Sequence, residues 1–196
     1  AAEHPDRVRA MAAAWDAYAE RANVLPLGAW RENRAAAPSR ERRFELKADA
    51  DLRGRAAPSI AERPLTISAT FTTPEASPDG VIIAHGGSAA GFSLFVEDGR
   101  PWFLVRTGTG RAAATRVGGP ALAPGRHSVV AKLAESGDLT LEVDGRAEAP
   151  VRGRLIPRQP VDGLQVGRDA EGTVGPYGAS NAFPGEIESV VVEVGG

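Results

Sequence analysis

Two periodicities divide the chain. Val8, Met11, Trp15, Tyr18 and Ala22 recur at spacings of 3, 4, 3 and 4, the interval that stacks side chains along one stripe of an α-helix. Pro5 suits the first helical turn, where its missing N–H costs nothing, and Asp6 favours the positive end of the helix dipole. Asn23 tolerates the left-handed conformation that closes helices, and Pro26 blocks continuation. One amphipathic helix is therefore expected at the front of the chain, with its stripe committed to packing.

From residue 64 the period changes to two. Leu65, Ile67, Ala69 and Phe71 alternate with Thr66, Ser68, Thr70 and Thr72, as in a strand with one buried face. Similar strands are expected at about 80–86, 91–97, 101–107, 127–134 and 138–144; the last sets Leu139, Leu141 and Val143 against Thr140, Glu142 and Asp144. The chain closes on "FPGEIESVVVEV", where Val190, Val192 and Val194 share a face. Asp79-Gly80, Asp98-Gly99, Ser136-Gly137-Asp138 and Asp144-Gly145 punctuate these segments, and glycine supplies the positive φ of tight hairpin turns. No helix-length periodic segment follows residue 40. That excludes a parallel α/β sheet and leaves a mainly β fold, an antiparallel sandwich of short strands behind one N-terminal helix.

Length and composition narrow the function. The chain has 196 residues, 42% of them hydrophobic, enough for one large domain or for one domain with an appendage. A net charge of -2 argues against a general binder of nucleic acid or anionic membrane. Lysine occurs only at 47 and 132 among many arginines, which reads as coding bias. With no cysteine, disulfides, thiolate metal sites and a cysteine nucleophile are excluded. The longest apolar runs, such as 81–84 and 190–192, are far too short to span a bilayer. The opening "AAEHPDRV" has neither an initiator Met nor a signal-peptide pattern, and reads as the middle of a longer polypeptide. Residues 28–43 form a basic, Pro-interrupted connector in which Arg31, Arg34, Arg40, Arg42 and Arg43 face Glu32 and Glu41. A solvated linker is the commoner fate of such a run, and a grip on an acidic surface is the alternative.

Several motifs imitate chemistry. "GTGRAA" at 108–113 matches G-x-G-x-x-A, but Gly118-Gly119-Pro120 follows too closely for the helix that a dinucleotide fingerprint must open; a hairpin turn is expected. "GGSAA" at 86–90 lacks the last glycine of a nucleophile elbow and runs into the strand "FSLFV". His4, His85 and His127 stand in no metal-spaced pair, so a Ser–His–Asp arrangement would have to form in space alone. Asp79, Asp98, Asp144 and Asp169 sit at turns, where turn chemistry explains them before Ca²⁺ ligation does. The stretch 167–185, "GRDAEGTVGPYGASNAFPG", is long and Gly/Pro-rich and carries Arg168, Asp169, Tyr177, Asn181 and Phe183. It reads as a binding or docking loop, with a mobile or simply packed segment as the alternative.

"AAEHPDRVRAMAAAWDAYAERANVLPL" resembles the last helix and tail of the catalytic region of bacterial arylsulfatases, members of the formylglycine-dependent sulfatase family, through E-H-P-x-R-V, W-x-x-Y-A and V-L-P-L. "GVIIAHGG", "GFSLFVEDGRPWFLV", "LTLEVDG", "LQVGRD" and "FPGEIESVVVEV" are similar to the extra C-terminal domain of longer family members, a laminin-G or concanavalin A-like jelly roll. The resemblance implies three parts: 1–27 as the end of a catalytic region, 28–43 as linker, and 44–196 as the jelly-roll accessory domain. Family members hydrolyse sulfate esters with formylglycine, made from Cys or Ser in C/S-x-P-S-R, beside Ca²⁺. The nearest match here, "AAPSR" at 36–40, puts Ala36 at the nucleophile position, so no catalytic residue carries over and no cofactor is expected in this chain.

The resemblance implies a non-catalytic accessory domain that packs in cis on a sulfatase catalytic domain and shapes substrate access. Val8, Met11, Trp15 and Tyr18 would form the docking face. Periplasmic or secreted placement fits such a parent. The alternative is a carbohydrate-binding module of the concanavalin A-like type, with Trp102, Tyr177 and Asn181 as candidate saccharide contacts. Trp102 has apolar neighbours in "RPWFLV", which favours burial over exposure.

Overall fold

The computed structural model describes residues 4–21 (side chains through Tyr18), 41–74 and 79–195. The expected helix closure at Asn23 and Pro26, the "VLPL" tail, "AAPSR" and most of the connector lie outside these residues. The chain divides into two units, Ala1–Ala35 and Ala36–Gly196.

In the first unit α1 spans Pro5–Arg21, with Asp6 in its first turn paired to Arg9. Its apolar stripe is exposed: Val8 by 45%, Met11 by 66%, Trp15 by 46% and Tyr18 by 49%. The Trp15 and Tyr18 rings lie 5.9 Å apart, as i,i+3 neighbours on a helix do.

The second unit contains twelve strands among the described residues: β1 (Arg43–Leu46), β2 (Asp51–Leu52), β3 (Leu65–Thr73), β4 (Gly80–Gly87), β5 (Ala90–Glu97), β6 (Arg100–Arg106), β7 (Ala114–Gly118), β8 (Gly125–Leu133), β9 (Leu139–Val143), β10 (Arg146–Ala147), β11 (Leu164–Val166) and β12 (Glu186–Val194). They form two antiparallel sheets, ordered β1-β12-β3-β8-β9-β10 and β2-β11-β4-β5-β6-β7. The fold is thus mainly β, a jelly-roll sandwich with one N-terminal helix. β1, β2, β7, β10 and β11 were not expected: runs of two to four residues are too short to display a period, and the five residues of β7 bury only Val117.

The period-two pattern of the first sheet becomes its inner face. Leu65, Ile67, Ala69 and Phe71 of β3 are buried while Thr66, Ser68, Thr70 and Thr72 alternate outward. They pack with Val129, Ala131 and Leu133 of β8, Leu139, Leu141 and Val143 of β9, and Val190, Val192 and Val194 of β12 against Phe92, Leu94, Phe103 and Leu164 of the second sheet. β4 and β5 do not alternate; they are buried almost throughout. One face belongs to the sandwich. The other carries Val81, Ala84 and Phe95, covered by Val174 and Tyr177 from the 167–185 loop.

Two hairpins close as the Asp-Gly pairs direct. Asp98 and Gly99 (φ 52° and 66°) join β5 to β6, and Asp144 and Gly145 (φ 50° and 80°) join β9 to β10; paired positive φ values define the type I′ turn that matches strand twist. "GGSAA" closes the β4–β5 hairpin, where Gly86 faces Gly91 and a Cβ on Gly86 would fall 2.2 Å from the Ala90 carbonyl oxygen. "GTGRAA" joins the antiparallel pair β6 and β7 through a short 3₁₀ turn, Arg111–Ala113.

Candidate functional site

The 167–185 loop is tied to the second sheet by its own polar residues. The Gly167 and Phe183 N–H groups donate to the Ile82 and Gly167 carbonyls, and the Val81 N–H donates to the Asn181 carbonyl. Asp169 Oδ2 accepts from the Tyr177 hydroxyl at 2.6 Å and from the Val174 N–H at 2.8 Å. The Asn181 side chain closes the loop on itself, accepting from the Asp169 N–H and donating to the Asp169 and Gly178 carbonyls. Arg106 Nε donates to the Val174 carbonyl at 2.7 Å. Burial pushes the Asp169 carboxyl above the usual carboxylate range against the pull of Tyr177 and the Val174 N–H, and burial together with Asp169 pushes the Tyr177 phenol up.

Of the five loop residues singled out in the sequence, Asp169, Tyr177 and Asn181 therefore come together, and Phe183 joins the main core edge-on to Phe71 at 5.4 Å. Arg168 turns away to pair with Asp49 at 3.3 Å. Trp102 is half-buried on the outer face of the same sheet. Its ring lies on Gly118, where a Cβ would sit 2.6 Å from it, with the Arg116 guanidinium 4.1 Å above the ring and Glu97 2.7 Å beyond.

A catalytic constellation is not what the histidines build. His127 Nδ1 lies 2.8 Å from Asp144 Oδ2, but Nε2 faces the Ala123 carbonyl oxygen at 2.7 Å, where a triad needs a hydroxyl. Partial burial would lift the Asp144 carboxyl, yet the hydrogen bonds from His127 and the Ser128 N–H hold it below its usual range. His85 is buried against Phe92 with neither ring nitrogen hydrogen-bonded, and burial lowers its pKa to about 3. Among the described residues, no group of three or more His, Cys, Asp or Glu is placed to hold a metal ion, and no helix is long and apolar enough to cross a membrane.

The remaining site lies on the outer face of the first sheet. Strand register brings Arg43 of β1, Glu193 of β12, Thr66 of β3, Lys132 of β8 and Thr140 of β9 into one row across five strands. This row lines a groove of about 630 Å³, completed by Arg42, Pro64, Leu65, Leu133, Ala134, Val194 and Gly195 at the ends of the strands. Arg43 contacts Glu193 at 2.5 Å and Glu45 at 3.2 Å. Lys132 makes no ion pair among the described residues. Sequence reasoning saw Thr66 and Thr140 only as polar positions of strands and Arg43 only as part of a connector. The signal that unites them is register across strands far apart in the chain, which periodicity does not contain.

No family model and no curated protein sequence matches the chain. The fold is similar to the CBM40 domain of a Ruminococcus gnavus IT-sialidase, solved bound to α2,6-sialyllactose: TM-score 0.56, 19% identity, 78% of this chain and 90% of that one. The same domain bound to α2,3-sialyllactose gives a TM-score of 0.54 at 19% identity over 78% and 89%. A botulinum neurotoxin type C structure, from work on cell entry through two ganglioside molecules, gives 0.52 at 10% identity over 77% and 39%. At these identities what is shared is the jelly-roll fold.

Proposed function

We propose that the sandwich is a non-catalytic saccharide-binding module and that the groove on the outer face of its first sheet is the binding surface. The observation that carries this reading is the row Arg43–Glu193–Thr66–Lys132–Thr140 flooring a groove of about 630 Å³. Saccharides present rows of hydroxyls over an apolar ring face. A floor of hydroxyls and charges on a rigid sheet, with the half-buried Pro64 ring at its end, offers both kinds of contact. Such a volume also lies within the usual small-ligand range of roughly 300–1,000 Å³. The similar sandwich that holds sialyllactose supports the reading at the level of scaffold.

Screening the full chain against neutral and acidic glycans, followed by calorimetry, tests it. Saturable binding that is lost in Thr66→Val/Thr140→Val is expected. Those substitutions remove both hydroxyls while keeping strand-compatible side chains. Absence of binding to every glycan class would end the proposal.

A second reading keeps the sulfatase resemblance: an accessory domain packed in cis on a catalytic domain that itself uses formylglycine and Ca²⁺. The exposed Val8, Met11, Trp15 and Tyr18 stripe favours it, because such faces are normally covered. The coding sequence ahead of Ala1 decides: a C/S-x-P-S-R motif supports this reading, and an unrelated preceding domain removes it.

A further inference from the structure

Resting on the saccharide-binding reading, we infer that the groove selects a saccharide bearing an oxyanion, a carboxylate or a sulfate ester, and that Lys132 is the group that meets it. Three cationic side chains line the groove, Arg42, Arg43 and Lys132, against one carboxylate, Glu193. That carboxylate is already engaged. Glu193 and Glu45 both hold the Arg43 guanidinium, so Arg43 is neutralised in place and serves as a wall of the groove. Lys132 differs. It stands between Thr66 and Thr140 in the cross-strand row, is exposed, and forms no ion pair among the described residues. Glu142, one row along on β9, does not pair with it.

A compact ammonium flanked by two hydroxyls suits a singly charged tetrahedral or planar oxyanion: the ammonium supplies the charge and the threonines further donors. In a chain of net charge -2, an unpaired cation inside a groove is a local attraction that the overall charge does not provide. The two lysines stand among 23 basic residues, and one of them occupies this central position.

The test uses the full chain and three matched sets of probes: lactose with 3′-sulfolactose and 3′-sialyllactose, galacto-oligosaccharides with oligogalacturonates, and a desulfated with a sulfated heparan hexasaccharide. The acidic member of at least one set is expected to bind about tenfold or more tightly than its neutral partner, as a charge-assisted contact provides. Lys132→Gln should abolish that preference, so that the acidic member binds the variant no more tightly than its neutral partner does in the same variant. Lys132→Arg should retain most of the preference, and Arg43→Gln should alter it less than Lys132→Gln does. The carboxylate and sulfate arms show which oxyanion is taken. Equal affinity for neutral and acidic members, or a preference that survives Lys132→Gln, overturns the inference and leaves saccharide binding standing. Failure of every probe, neutral and acidic, overturns both.

Discussion

The Tyr177 hydroxyl donates to Asp169 Oδ2 across 2.6 Å while its ring stands edge-on to Phe95 at 5.1 Å. A phenol has one proton, and the carboxylate only accepts, so Ser93 Oγ, 2.9 Å away, donates to the Tyr177 oxygen in turn. This contact fastens the 167–185 loop over the outer face of the second sheet and makes a long Gly/Pro-rich segment part of the core.

Tyr177→Phe keeps the ring and removes the donor to a buried carboxylate. A loss of about 1–3 kcal/mol in chemical denaturation is expected. A neutral substitution would mean that the loop is held by its backbone bonds alone.

His85 gives the opposite expectation. Its two ring nitrogens are buried without partners beside Phe92, so His85→Leu should stabilise the fold by about 1–3 kcal/mol at pH 7. The folded pKa of about 3 lies below the ordinary histidine value of about 6.5. The unfolded chain therefore binds a proton that the fold refuses, and the wild type loses stability as pH falls below about 6.5, at up to about 1.4 kcal/mol per pH unit. His85→Leu removes that component. Parallel stability–pH curves for the two proteins would contradict the assignment.

Asp162 has the other sign. Burial, together with Glu171 and Asp169, pushes its carboxyl above the usual range. The charged form therefore weakens the fold at neutral pH, and the penalty fades as pH falls through the raised folded pKa toward the unfolded value. Asp162→Asn should raise Tm at pH 7 and approach the wild type near pH 4. A Tm gap that widens on acidification would refute this.

Gly118→Ala places a methyl group 2.6 Å from the Trp102 ring. The ring must leave its seat below Arg116, with a cost of about 1–3 kcal/mol and a shift of the tryptophan emission to longer wavelength. Unchanged emission and stability would show that the ring does not rest on Gly118.

How far these features could be read ahead depends on their range along the chain. The strands of 65–73 and 186–194 were legible because one of their faces is solvated, which imposes alternation. β4 and β5 lack alternation because both faces are covered, the outer one by 167–185. β1 was not recognised as a strand, its first residue Arg43 being read as the end of a basic connector, since its partner β12 lies about 150 positions away in the chain. For the same reason the groove was invisible: Arg43, Thr66, Lys132, Thr140 and Glu193 each look like ordinary polar strand positions until register aligns them. Asp169, Tyr177 and Asn181 were singled out by composition, which does not say whether polar atoms face outward or bond to one another; here they bond to one another.

Amide NMR during saccharide titration of the full chain locates the binding surface residue by residue. Perturbations are expected to cluster at Arg43, Thr66, Lys132, Thr140 and Glu193 and to spare Trp102 and Tyr177 on the other sheet. Perturbations centred on Trp102 and Tyr177, with the cross-strand row unmoved, would put binding on the second sheet and rule out the groove.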